Sequence, residues 1–149
     1  MERNVKELWA KTSLYVWPET YWLISLPIAT LSEALLHLGQ DAKDTKSFVA
    51  IVVEKDEVSL TLSNNSFEKL SSIFINKQVA GTYKVITLNL NIDLNVCGYL
   101  LPVAKLLADN NISIVPQCGY LKDHLVIKEQ DCKKTIEILT RFIQECQIS

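Results

Sequence analysis

The sequence predicts an α+β protein in which a β-α-β-β-α order of elements occurs twice. Apolar, β-branched runs typical of strands alternate with stretches whose apolar residues recur at helical spacing. The clearer copy begins at the strand-like run Val85 to Ile92 and ends with the amphipathic stretch Glu129 to Ile143. An apolar content of 48% in 149 residues suffices for a packed core. We therefore expect two small units, each with helices packed against a sheet.

The elements between these two stretches follow from local patterns. A polar turn, Asp93 to Asn95, precedes a run of apolar residues at helical spacing. Asn110-Asn111 can end that helix, because Asn tolerates the left-handed conformation found at helix ends. Ile112 to Val115 and Leu125 to Ile127 then predict two further strands.

The earlier copy is predicted in the same way. Ser13 to Trp17 and Thr20 to Leu26 are strand candidates on either side of Pro18-Glu19, which predicts a β-hairpin. A helix capped by Thr30 or Ser32 should close at Gly39. Phe48 to Val53, Val58 to Leu62 and an apolar stripe from Phe67 to Phe74 complete the order.

The predicted boundaries are an N-terminal arm at residues 1–12, a first unit at 13–81 and a second unit at 82–149. Asn76 to Thr82 is interpreted as the link between the units. The second unit lacks a closing strand, because the chain ends just after its last helix. The first unit has strand material to spare. We therefore predict that Ser13 to Trp17 crosses over and completes the sheet of the second unit.

Composition excludes several functions. The net charge of −2, with acids and bases interspersed, argues against a nucleic-acid partner. The longest uncharged run, Thr20 to Ser32, contains Pro27 and is too short to span a membrane. The N-terminus has no apolar signal core, and the four cysteines have no CxxC spacing. We therefore expect a cytoplasmic protein with reduced thiols.

Three stretches resemble the ACT domain, a small-molecule-sensing module. Asn91 to Gly98 is similar to the family's strand-to-helix ligand loop with its glycine. Leu106 to Ile114 resembles its helix-turn-strand passage, and Asp123 to Glu129 its return strand. The resemblance implies two ACT-like units in tandem, each a ferredoxin-like βαββαβ two-layer sandwich. Within this family, the chain is similar to aspartate kinase regulatory domains and to cytosolic arginine sensors. It implies a non-catalytic regulatory protein that binds a small effector, an amino acid, and that forms a homodimer.

The loop Asp93 to Gly98 is the candidate site. A strand that feeds a helix leaves free N–H groups at the helix start, where a carboxylate is stabilised. The effector's carboxylate would contact the amides of Val96 to Gly98, and its amine would approach Asp93 or a backbone carbonyl. Gly98 would leave room for the ligand. The alternative is that Asp93 or Asn95 only caps the helix and satisfies the same donors internally.

The resemblance also implies that the ligand lies against the strand around Ile114 to Cys118. The predicted ligand-binding residues are therefore Asp93, Leu94, Asn95, Val96, Cys97, Gly98, Ile114, Val115, Gln117 and Cys118. Cys118 and Gly119 stand where the family usually has hydroxyl residues. This departure supports an alternative function, a ligand-free interaction or dimerisation module with the same fold.

Motifs for catalysis and metal binding are absent from the sequence. It contains no Walker loop, GxSxG, GxGxxG or HExxH motif. His37 and His124 lack metal-ligand spacing with other side chains. The loop of the first unit, Leu26 to Ala29, has no glycine, and its Pro27 has no N–H group. We therefore expect no enzyme activity, no cofactor, no metal and one effector site per chain.

Overall fold

The computed structural model describes residues 1–148. The helices are α1 (Arg3–Lys11), α2 (Leu31–Thr45), α3 (Asn64–Leu70), α4 (Leu101–Asp109) and α5 (Cys132–Ile148). The strands are β1 (Ser13–Val16), β2 (Tyr21–Pro27), β3 (Ala50–Val53), β4 (Glu57–Ser63), β5 (Gln78–Asn89), β6 (Ile114–Cys118) and β7 (Asp123–Lys128). Short 3-10 turns lead into α2 and α5.

The chain divides into two compact units. The terminal unit consists of Met1–Val16 and the residues from Lys84 onward, and the central unit is Trp17–Tyr83. These boundaries differ from the predicted ranges 1–12, 13–81 and 82–149. The first 16 residues join the terminal unit, and the long strand β5 is divided between the two units.

The sheet of the terminal unit has the strand order β1-β5-β7-β6. β1 is antiparallel to β5, with Ser13 opposite Asn89 and Val16 opposite Ile86. The predicted crossover of the N-terminal strand is therefore confirmed. The predicted hairpin between β1 and β2 is wrong, because β2 is flanked by β4 and β5 instead.

The helices α1, α4 and α5 contribute to the core of the terminal unit. Trp9 and Val5 of α1 are buried in this core, so the first residues form a packed helix instead of a loose arm. The other core residues are Ile86, Leu88, Tyr99, Val103, Leu107, Ile112, Leu125, Ile127, Cys132, Leu139, Ile143 and Cys146. Partly buried Leu14 and Val16 pack against the same cluster, which explains why β1 pairs with β5.

The central unit has the strand order β3-β4-β2-β5, with α2 and α3 contributing to its core. Its closing strand is the first part of β5, in which Gln78 lies opposite Ser25 and Tyr83 opposite Tyr21. The prediction that residues 76–82 form a linker is therefore wrong. The central unit has the βαββαβ order along the chain, with β5 as its closing strand. In the terminal unit β1, from the N-terminal end, takes the place of the last strand of the same order.

The helix α2 does not end at Gly39, as predicted, but continues to Thr45. Leu38 and Asp41 lie on its buried side and hold the later turns in place. Asp41 accepts a hydrogen bond from Ser66 Oγ and lies 3.5 Å from Lys69 Nζ. The helix ends at Lys46, which has a left-handed backbone with φ of 53°.

Candidate functional site

A cavity of about 340 Å³ lies in the terminal unit between the loop before α4 and the tip of the β6–β7 hairpin. The lining residues are Ile92, Asp93, Leu94, Val96, Gly98, Tyr99, Leu100, Leu101, Cys118, Gly119, Tyr120, Leu121, Lys122 and Asp123. Small-molecule sites in proteins typically measure about 300–1,000 Å³, so this volume suits a ligand of metabolite size.

The loop that follows β5 is shaped by Asp93. Its Oδ1 accepts hydrogen bonds from Asn95 N at 2.8 Å and Asn95 Nδ2 at 2.9 Å. Its carbonyl oxygen accepts one from Val96 N at 3.0 Å. Asp93 therefore builds a local turn in which the side chain replaces a backbone acceptor.

The helix after this loop begins at Leu101, six residues later than Asn95. Pro102 lies in its first turn, where a residue without an N–H group is favoured. The prediction of a helix start with bare amides at Val96 to Gly98 is thus corrected. The Val96 amide is occupied internally, which matches the capping alternative for Asp93.

Gly98 lies on the cavity wall with φ of 80°, a left-handed conformation that favours glycine. A Cβ built on Gly98 would meet no other residue within 4 Å. The predicted open space at this glycine is therefore present. A glycine is favoured at this position because other residues rarely adopt a left-handed backbone.

The predicted site residues divide into three groups. Asp93, Leu94, Val96, Gly98 and Cys118 line the main cavity, and Asn95 lines a smaller depression of about 290 Å³ beside it. Cys97, Ile114, Val115 and Gln117 line neither of them. Only the last residue of β6 reaches the cavity, because the rest of the strand runs away from the hairpin tip and Ile114 packs against the core.

The predicted ligand-binding residues do not include the hairpin tip, residues 119 to 123, or the first residues of α4. Two backbone hydrogen bonds fix the tip: Gly119 N donates to Lys122 O at 2.9 Å, and Ile92 N donates to Leu121 O at 2.8 Å. The second bond ties the tip to the loop. The feature of the sequence that could have indicated the tip is Tyr120-Leu121. These are two large apolar residues in a turn where solvent exposure is expected.

Charges of both signs meet at this tip. Partial burial raises the pKa of the Cys118 thiol, and a hydrogen bond to Asp123, together with the charge of that carboxylate, raises it further. Lys122 forms no ion pair among residues 1–148. Residues of both charge signs, Lys122 and Asp123, are therefore among those that line the cavity.

Tyr99 connects the cavity wall to α1. Its ring stacks on Trp9 with a centroid distance of 4.6 Å, and its carbonyl oxygen accepts a hydrogen bond from Trp9 Nε1 at 2.8 Å. The hydroxyl groups of Tyr99 and Thr12 are 2.7 Å apart. Burial raises the pKa of Tyr99 to about 12, Thr12 opposes the shift and the charge of Asp123 adds to it.

The raised pKa of Tyr99 predicts a loss of stability in alkali. Below pH 10, the ordinary pKa of a tyrosine, Tyr99 is neutral in both states, and between pH 10 and about 12 only the unfolded state releases the proton. Over this window the wild type should lose about 2–3 kcal/mol more than the Tyr99→Phe variant. Urea unfolding of both proteins at several pH values measures the difference, and parallel pH profiles would contradict it.

His124 lies behind the hairpin tip, where its Nδ1 is 2.8 Å from Thr87 Oγ1. Burial lowers the pKa of His124, against the opposing effect of Asp123. Within residues 1–148, no group of three or more His, Cys, Asp or Glu side chains could hold a metal ion. In the same range, no helix has the length and apolar character needed to cross a membrane.

No protein-family model matches the sequence, and no curated protein matches it. Solved structures do resemble the chain. A Vibrio cholerae protein of unknown function, a possible transport protein, aligns over 93% of this chain and 95% of its own, with 19% identity and a TM-score of 0.71. The structure of aspartokinase alpha and beta subunits is also similar, with 15% identity and a TM-score of 0.66. The alignment covers 89% of this chain and 98% of the matched chain.

The ligand-free regulatory subunit of aspartate kinase from Thermus thermophilus is also similar, with 6% identity and a TM-score of 0.63. The alignment covers 88% of this chain and 97% of that subunit. At sequence identities this low, the comparisons support a shared fold and nothing further. The chain has the ACT-type fold, built from two ferredoxin-like units, and this confirms the predicted architecture.

Proposed function

We propose that this chain is a non-catalytic regulatory protein that binds an amino acid in the cavity of the terminal unit. The observation that supports this proposal most is the pair Lys122 and Asp123 on the wall of a 340 Å³ cavity. An α-amino acid at neutral pH carries one carboxylate and one ammonium group. The lining residues include one of opposite charge for each of these groups.

The expected contacts follow from which atoms the protein already uses. Lys122 Nζ would donate to the effector's carboxylate. The effector's ammonium group would donate to Asp123 and to Oδ2 of Asp93, because Oδ1 already accepts two hydrogen bonds. Such charge-assisted hydrogen bonds are stronger than neutral ones.

Regulation requires that the bound effector changes another surface. Tyr99 provides a route, since it borders the cavity and holds Trp9 of α1 by stacking and by a hydrogen bond. An effector that favours one arrangement of the loop would therefore favour one arrangement of α1. The similarity to regulatory subunits of aspartate kinase supports this role.

Protection of Cys118 from a thiol reagent tests the proposal. Cys118 lines the cavity, whereas Cys97 is also exposed but does not line it. We expect an amino acid that raises the melting temperature also to slow alkylation of Cys118, and Cys97 to react at an unchanged rate. Mass spectrometry of the labelled protein measures both rates. No protection and no shift in melting temperature with any amino acid would contradict the proposal.

An interaction module without a ligand is the second candidate. The internal use of the Val96 amide favours it, because this removes part of the predicted anion site. The protection experiment separates the two candidates, since an interaction module would leave Cys118 unprotected.

We also propose a homodimer that acts in the cytoplasm. β3 is an uncharged strand at the end of the central sheet, and Val52 and Val53 on it are 43% and 50% exposed. Edges of this kind pair readily with another chain. Light scattering should give twice the mass of one chain, and a monomer at all concentrations would contradict the dimer.

All four cysteines are free thiols, which suits a reducing compartment.

A further inference from the structure

The rim of the cavity has an unusual surface. Four large apolar side chains point into solvent there: Leu94 is 69% exposed, Leu101 70%, Tyr120 78% and Leu121 52%. They come from two separate segments of the chain, the loop with the start of α4 and the hairpin tip. Exposed apolar residues are ordinary when scattered, but a group around one cavity marks a binding surface.

Most polar groups of the same cavity already form hydrogen bonds or pairs within the protein. Asp93 Oδ1 accepts two hydrogen bonds from Asn95, and Asp123 lies opposite Cys118 across the β6–β7 hairpin. The amides of Gly119 and Ile92 donate to carbonyl oxygens of the hairpin tip. The α-carboxylate of a bound amino acid would contact Lys122, and its α-ammonium group would contact Asp123 and Asp93 Oδ2. A second negative charge, on the effector's side chain, would then have no cation of its own among the lining residues.

We propose that the cavity selects an amino acid with a large apolar side chain, aliphatic or aromatic, over polar and charged ones. The inference rests on the proposed function and adds the class of effector. The carboxylate and ammonium groups contact Lys122 and the two aspartates. The side chain lies among Leu94, Leu101, Tyr120 and Leu121 and removes their apolar surface from water.

Calorimetric titration of the full chain with leucine, phenylalanine, alanine, serine, lysine and aspartate tests this selection. We expect leucine or phenylalanine to bind at least about tenfold more tightly than alanine, because an apolar pocket discriminates by the area that the ligand buries. Leu101→Ser should weaken leucine binding by about tenfold. Leu36→Ser is the matched control, since Leu36 is 73% exposed on α2 of the central unit, and it should leave the affinity unchanged.

A second variant, Lys122→Met, separates the two levels of the proposal. It should weaken every amino acid that binds by about tenfold or more, because it removes the partner of the carboxylate. If lysine, aspartate or serine binds in a Lys122-dependent manner and leucine does not, the apolar selection is overturned and the proposed function stands. If no amino acid binds the wild type, both are overturned.

Discussion

Replacing Trp9 by alanine should lower the free energy of unfolding by about 3–5 kcal/mol, the range found for large aromatic residues removed from cores. Trp9 is fully buried and stacks on Tyr99. It also meets Phe142 edge to face with a centroid distance of 5.3 Å. The substitution would leave a cavity between α1 and α5 and would leave the Tyr99 carbonyl without its donor.

Urea unfolding followed by circular dichroism measures this loss. The Trp9→Phe variant is the control, because it keeps an aromatic ring and removes the hydrogen bond, and it should lose about 1–2 kcal/mol less than alanine does. A loss below about 1 kcal/mol for Trp9→Ala would show that α1 is not packed into the core of the terminal unit.

Replacing Gly81 by alanine should destabilise the protein by about 1–3 kcal/mol, because overpacking forces side chains or backbone to shift. A Cβ on Gly81 would overlap Trp22 Cε3 and lie 2.9 Å from its Cζ3. The indole of Trp22 cannot easily move away. Its Nε1 donates to Asn64 Oδ1 at 2.9 Å, and its ring packs on Phe67 with a centroid distance of 5.5 Å.

Gly39→Ala is the matched control for Gly81→Ala. A Cβ on Gly39 would meet nothing within 4 Å, and Gly39 lies inside α2. Alanine there should stabilise by about 0.5–1 kcal/mol, because it favours the helical backbone. Thermal unfolding of both variants should therefore give shifts of opposite sign. The same sign for both would show that the packing of Trp22 on Gly81 is not the cause.

The order of elements could be read from the sequence because each element has its own periodicity. The crossover of β1 followed from the spare strand material in the first unit and the missing closing strand in the second. The hairpin prediction failed because Pro18-Glu19 indicates a turn but does not determine which strands pair. Pairing is decided by distant residues, and Leu14 and Val16 pack against the terminal core.

The site was predicted in part for a similar reason. Asp93 to Gly98 was found because a polar loop with a glycine is visible locally. The start of α4 was misplaced, since Tyr99 and Leu100 fit the helical spacing although the helix begins at Leu101. The hairpin tip was left out of the predicted site because the bond from Ile92 N to Leu121 O, which brings it to the loop, joins residues far apart in sequence.

A leucine titration followed by the indole N–H resonances tests the central claim most directly. The chain has three tryptophans, and Trp9 donates to Tyr99 on the cavity wall, whereas Trp17 and Trp22 belong to the central unit. We expect leucine to shift the Trp9 indole resonance and the backbone amides of residues 93–101 and 118–123. The other two indole resonances should stay in place. Unchanged spectra with leucine and every other amino acid, or shifts centred on Trp17 and Trp22, would contradict an effector site in this cavity.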